Sequence, residues 1–201
     1  MYIDAVRSFC LFALLLAACS DSGGNTTDDT GTGASSVPTG GDEDSGGNFD
    51  CATYCERITA NCTGALAQYT NVQLCEATCG NFDVGEQSDM DGDTLGCRLY
   101  HAGAAKDDPA THCTHAGPGG NGQCGTNCQG FCTIAVRACP AVYSDEAACE
   151  STCAGFSDAE AYDASDVSGD TLACRLYHLT VATVYAADHC PHIAAVSDTC
   201  K

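Results

Sequence analysis

Residues 92–101 read GDTLGCRLYH, and residues 169–178 read GDTLACRLYH. The box HCTH at 112–115 returns as HCPH at 189–192. The chain is written twice, and all six of its histidines fall inside the two copies at one spacing: His101, His112 and His115 answer His178, His189 and His192. The cysteines repeat with them. Cys51, Cys55, Cys62, Cys75, Cys79, Cys97, Cys113 and Cys124 are matched by Cys128, Cys132, Cys139, Cys149, Cys153, Cys174, Cys190 and Cys200. The gaps run 3, 6, 12, 3, 17, 15 and 10 residues against 3, 6, 9, 3, 20, 15 and 9, so length changes fall between blocks that are themselves kept. Two sets of eight suit four disulfides per copy.

Composition agrees with a stapled fold. The 201 residues include 18 Cys and no Trp, and aromatics make up 7%, too few for a large apolar core of the usual kind. Cysteine at this density belongs to an oxidising compartment, where disulfides persist. With 27 acids against seven Lys and Arg the formal charge is −20, which repels nucleic-acid phosphates and excludes a nucleic-acid partner.

Each copy reads as mainly helical. Cys51, Cys55 and Cys62 fall on one helical face, as do Cys128, Cys132 and Cys139. A second helix is expected after Thr70, or after Ser144 as N-cap in the second copy, carrying Cys75 and Cys79 or Cys149 and Cys153. Two antiparallel helices with CxxxC pairs favour Cys51 to Cys79 and Cys55 to Cys75, with the equivalent pairs in the second copy, although eight cysteines allow many other pairings. A third helix is expected to start at Asp93 or Asp170 and to place Cys97 and His101, or Cys174 and His178, a turn apart. Pro109 must end it in the first copy, whereas LTVATVYAAD lets it run longer in the second. The fold class is thus mainly α: two tandem disulfide-rich helical repeats, residues 51–124 and 125–201, after a disordered tether.

The N-terminal part is of another kind. Residues 1–18 carry Arg7 and a short apolar run, of signal-peptide length and too short to span a bilayer. Its end, Leu16, Ala17, Ala18, Cys19, resembles the lipobox of bacterial lipoproteins. That resemblance implies acylation of Cys19, a membrane partner through the lipid, and a bacterial cell envelope location at the outer membrane or cell surface. Residues 19–50 are Ser, Thr, Gly and Asp with almost no apolar residue, the composition of a disordered tether. Such a tether would hold the folded part about 30 Å from its anchor.

Function rests on the histidines. They keep an 11-residue and a 3-residue spacing while their neighbours drift: Thr111 becomes Asp188, Thr114 becomes Pro191, Ala116 becomes Ile193. Imidazole is the commonest nitrogen ligand for Zn and Cu, and three per copy is the count of an open catalytic or transport site or of a closed site completed by an acid. The alternative is structural: Gly92, Asp93, Thr94, Leu95, Arg98, Leu99 and Tyr100 are kept as well, so the block is equally a core whose histidines bond carbonyls and pack on disulfides, in a display or interaction module without metal.

Other chemistry fits less well. The CxxCH of covalent haem and the spacing of a four-cysteine zinc site are absent, and the acid run SDMDGDT at 88–94 has its glycine, Gly92, out of place for a calcium loop and lacks the closing glutamate. No GxSxG elbow and no unpaired cysteine beside a histidine suggest an enzyme. Arg98 and Arg175 are expected to bond acids or helix carbonyls locally.

Overall fold

The computed structural model describes residues 48–201; the leader, Cys19 and nearly all of the tether lie outside them. Asp50 opens the first helix, α1 (Cys51–Asn61), its carboxylate accepting from Thr53 N at 2.8 Å. Helix α2 (Val72–Cys79) is capped by Asn71, whose side chain accepts from Leu74 N at 3.0 Å. Two disulfides, Cys51–Cys79 and Cys55–Cys75, staple the two helices antiparallel. The second copy repeats this in α5 (Asn127–Ala138) and α6 (Glu146–Cys153) with Cys128–Cys153 and Cys132–Cys149, so the pairing expected from the CxxxC spacing is the one formed.

The other half of each copy carries the histidines. Helix α3 (Leu95–Ala104) is followed by α4 (Pro109–Ala116), and α7 (Leu172–Ala182) by the short α8 (Ala186–His189) and a 3₁₀ turn over Cys190–Ile193. Cys62–Cys113 ties the end of α1 to α4, and Cys97–Cys124 ties α3 to the segment beyond α4. Cys139–Cys190 and Cys174–Cys200 do the same in the second copy. Each half thus holds four disulfides of its own, and the fold is helical, with isolated bridges at Asp83–Thr94 and Ser157–Thr171 in place of strands among the described residues.

Several helix starts lie one residue beyond the expected cap. Asn71 and Asp145 cap α2 and α6 instead of Thr70 and Ser144, since an Asx carboxyl or amide oxygen caps at least as well as a hydroxyl. Thr94 and Thr171 cap α3 and α7, accepting from Cys97 N at 3.2 Å and Cys174 N at 3.0 Å. Asp93 and Asp170 are thereby released for another partner. Helix α7 outlasts α3 by one residue only, 11 against 10, and near its end Thr180 and Thr183 hydroxyls turn back onto the carbonyls of Tyr177 and Thr180.

The partner of Asp93 is Arg98, which has no exposed surface. Its guanidinium donates to Asp93 Oδ1 at 2.6 Å, Gly117 O at 3.2 Å, Pro118 O at 3.2 Å and Thr94 O at 3.3 Å, and lies 4.2 Å from the Phe82 ring centre. Arg175 does the same with Asp170, Ala194 O, Cys200 O, Thr171 O and the Phe156 ring. The local bonding expected of both arginines is what the fold contains. Each arginine pins the chain leaving the two-histidine segment onto the helix that bears the third histidine.

The copies share one continuous apolar core, in which Tyr54, Ile58 and Leu99 meet Phe131, Ile134 and Leu172. Polar bonds cross between them. Gln68 and Tyr162 exchange bonds (Tyr162 Oη to Gln68 O, 3.2 Å; Gln68 Nε2 to Tyr162 O, 3.1 Å), Thr133 donates to Asp93 Oδ2 at 2.7 Å, and Arg137 pairs with Asp83. Gly130 on α5 is required by close approach: a Cβ there would sit 2.4 Å from the Pro118 carbonyl that Arg98 binds. The second copy therefore roofs the first copy's arginine.

This asymmetry yields a prediction. Arg98→Leu strips a partly buried Asp93 of its cation and leaves roofed carbonyls unpaired, and is expected to lower stability by about 3–5 kcal/mol. The Asp170 side chain is 72% exposed, so Arg175→Leu should cost clearly less. Urea unfolding of the oxidised full chain checks the order; equal losses would contradict it.

Candidate metal centres

His101 stands in the last turn of α3, four residues after Cys97, and is 4% exposed. His112 and His115 are three apart on α4, hence on one face of that helix, which Asp108 caps and Pro109 starts. Packing of α3 against α4 brings the three rings together, with centroids 5.0 Å (His101–His112), 5.1 Å (His101–His115) and 6.0 Å (His112–His115) apart. In the second copy the values are 5.2 Å (His178–His189), 4.6 Å (His178–His192) and 5.3 Å (His189–His192). In each trio one donor atom per residue lies within 4.8 Å of the other two. All six histidines singled out in the sequence are thus assembled, three and three.

The ring nitrogens are oriented by a feature the sequence concealed. His101 Nε2 lies 3.1 Å from Met90 O, and His178 Nε2 lies 3.2 Å from Val167 O. A carbonyl only accepts, so Nε2 carries the proton and a neutral ring presents its Nδ1 lone pair to the trio. Facing His101 Nδ1 is His112 Nδ1 at 2.8 Å; facing His178 Nδ1 are His189 Nδ1 at 2.9 Å and His192 Nδ1 at 3.1 Å. His115 Nδ1 is buried and has no hydrogen-bond partner. Tyr100 and Tyr177 set their rings edge-on against His101 and His178, at 5.0 Å in both copies. Met90 and Val167 act through backbone oxygens, which any residue type supplies, so no side-chain pattern could have marked them.

Burial pulls His101 and His115 below the usual histidine range, and the neighbouring imidazoles push the same way. Burial does the same to His178 and His189. These rings are held neutral, the form that ligates metal. Cys97 and Cys124 also lie near His101, as do Cys174 and Cys200 near His178, but each pair is closed as a disulfide and has no thiolate to give. The acid run at 88–94 is structural: Asp89 accepts from Glu86 N and Thr94 Oγ1, and Asp93 serves Arg98.

Residues 48–127 match the BfoA family C-terminal domain. That span contains the whole first copy. The chain is also similar to the aurasperone B biosynthesis cluster protein A of Aspergillus niger, 36% identical over 73 residues, which is 36% of this chain and 24% of that protein. A bifonsecin B biosynthesis cluster protein A of Aspergillus brasiliensis is 36% identical over 73 residues, 36% of this chain and 25% of its own length. A second A. niger strain's aurasperone B protein is 34% identical over the same shares as the first. The chain thus spans about a quarter of the length of these curated relatives. No solved structure matches.

These relatives are fungal, which corrects both the bacterial lipoprotein resemblance read at Leu16–Cys19 and the bacterial outer-membrane or surface location drawn from it. A few small residues before one cysteine, after a short apolar run, are also how an ordinary secretory leader ends, so the match to a lipobox carried little information. Among the described residues no helix is long and apolar enough to cross a membrane.

Buried and half-buried histidines held neutral make stability depend on pH. An unfolded imidazole titrates near about 6.5, whereas His101, His115, His178 and His189 bind protons only at lower pH when folded. Between those values the unfolded chain holds more protons, so their contribution is complete above about pH 6.5 and is lost as pH falls through the folded values. Acidification also relieves repulsion among the 27 acids, so the contrast is with a chain carrying all six His→Gln changes. The metal-free wild type should lose melting temperature relative to that variant from pH 7 to pH 5; parallel curves would contradict this.

Proposed function

We propose that the described part of the chain is a metal-holding module of an oxidising compartment, with one three-histidine site in each copy and Zn or Cu as the cation. One observation carries it: in both copies the innermost histidine donates from Nε2 to a backbone carbonyl and turns Nδ1 toward its companions, one ring nitrogen in the first copy and two in the second. That outer-shell bond fixes tautomer and ring direction, as is usual for a ligating histidine. At Zn–N distances of 2.0–2.1 Å, tetrahedral ligand nitrogens stand about 3.3 Å apart, between the 2.8–3.1 Å of the three hydrogen-bonded pairs and the 4.8 Å that bounds each trio. No carboxylate or free thiol joins either trio among the described residues, so the fourth position falls to water or an added ligand. The charge of −20 favours approach of a cation.

A second reading has its own support. The His178 trio satisfies its Nδ1 atoms by internal hydrogen bonds without any ion, as a purely structural cluster in a display or interaction module would. The relatives' names attach those proteins to biosynthesis clusters. An accessory role in a comparable pathway, in a secretory lumen reached through the residues 1–18 leader, is the setting we propose for either reading.

Elemental analysis of the oxidised full chain after equilibration with trace Zn and Cu separates the two. About two equivalents are expected, falling to about one when His101, His112 and His115 become Ala. At a free concentration of 100 times the dissociation constant, a single site adds about 2.7 kcal/mol of stability. No retained metal, with no thermal shift, leaves the structural reading.

A further inference from the structure

Resting on that metal-site reading, we infer that the two trios are unequal and load in order, His101–His112–His115 before His178–His189–His192. The order follows from what each site must give up to receive a cation.

In the second copy His178 Nε2 is protonated by its bond to Val167 O, so His178 Nδ1 offers its single lone pair, shared in a three-centre bond by His189 Nδ1 and His192 Nδ1 as donors. Binding through three Nδ1 lone pairs then requires two rings to shift their proton to Nε2 and two hydrogen bonds to break. In the first copy only His112 donates to His101 Nδ1, so one ring shifts and one bond breaks. His115 Nδ1, moreover, is buried with no partner, and a cation satisfies it where water does not reach. The closer ring spacing of the second trio, 4.6 Å at the shortest, reflects the hydrogen bonds a metal has to displace and is no sign of a readier site.

Scaffolding points the same way. His112 and His115 ride an eight-residue helix with a side-chain cap from Asp108, and Asn121 Nδ2 donates to Thr114 Oγ1 at 3.0 Å between them. His189 ends a four-residue helix with no side-chain cap, and His192 lies in a 3₁₀ turn with Pro191. The Met90 carbonyl that orients His101 is itself held by Gln123 Nε2 at 2.9 Å, and Gln123 neighbours the Cys97–Cys124 disulfide. Val167 O receives no such second bond from the corresponding Thr199 side chain. A preorganised donor set loses less on binding.

The test is a Zn²⁺ titration of the oxidised, isotopically labelled full chain, following the six imidazole resonances individually, with a competing chromophoric chelator for affinities. The first equivalent should move His101, His112 and His115, and the second should move the other three, with dissociation constants at least about tenfold apart. His192→Ala should leave the tight step intact, and His115→Ala should abolish it and keep the weak one. Simultaneous shifts of both trios, or second-copy loading first, would overturn the order while leaving two metal sites. Failure of any imidazole to respond would remove the metal-site reading itself.

Discussion

The bond from a buried arginine to the chain that leaves the histidine segment is the constraint on which both halves depend. Arg98 reaches Gly117 O, two residues past His115, and Arg175 reaches Ala194 O, two residues past His192. Each arginine also sits three residues before the third histidine on its own helix. A guanidinium offers five donors in a rigid fork, and here they are spread over an acid, a helix carbonyl and a loop. No lysine could hold three partners in that geometry. The ring trio is therefore set by an interaction in which no histidine takes part.

Disulfides supply what apolar mass does not. Eight crosslinks lie within 154 described residues, and the CxxxC pairs draw α1 to α2 and α5 to α6. Crosslinking restricts the unfolded chain more than it adds contacts to the folded one, which suits a sequence without tryptophan. The longer closures, Cys62–Cys113 and Cys139–Cys190, each span 51 residues and join the stapled pair to the histidine half, so both halves of a copy stay in register.

Duplication makes the chain its own control. Equivalent positions carry equal roles where the backbone repeats: Thr94 and Thr171 cap, Tyr100 and Tyr177 flank the inner imidazole, Phe82 and Phe156 lie under the guanidinium. Differences appear where the copies touch. Asp93 is bonded by Thr133 of the second copy and shielded, whereas Asp170 has no counterpart to cover it. Two trios from one pattern need not be equivalent, because their surroundings differ.

Much of this was legible in residue spacing. The repeat of GDTL-CRLYH and HCxH, the sixteen cysteines and their i, i+4 pairs specified a helical, doubly stapled module and named the six histidines, because covalent crosslinks and helical periodicity act over short, countable distances. Cap positions slipped by one residue at Asn71 and Thr94, where two adjacent side chains compete for one role; beside Thr94, Arg98 takes the acid, Asp93. The lipobox resemblance at Leu16–Cys19 did not hold, because three residues before a cysteine carry too little pattern to specify one kind of segment. Tertiary structure alone decided that the three rings of a copy converge, that Met90 and Val167 orient the inner one, and that His115 Nδ1 stands without a hydrogen-bond partner. Those facts reside in backbone carbonyls and in the packing of α3 on α4, and neither leaves a mark on the identity of a side chain.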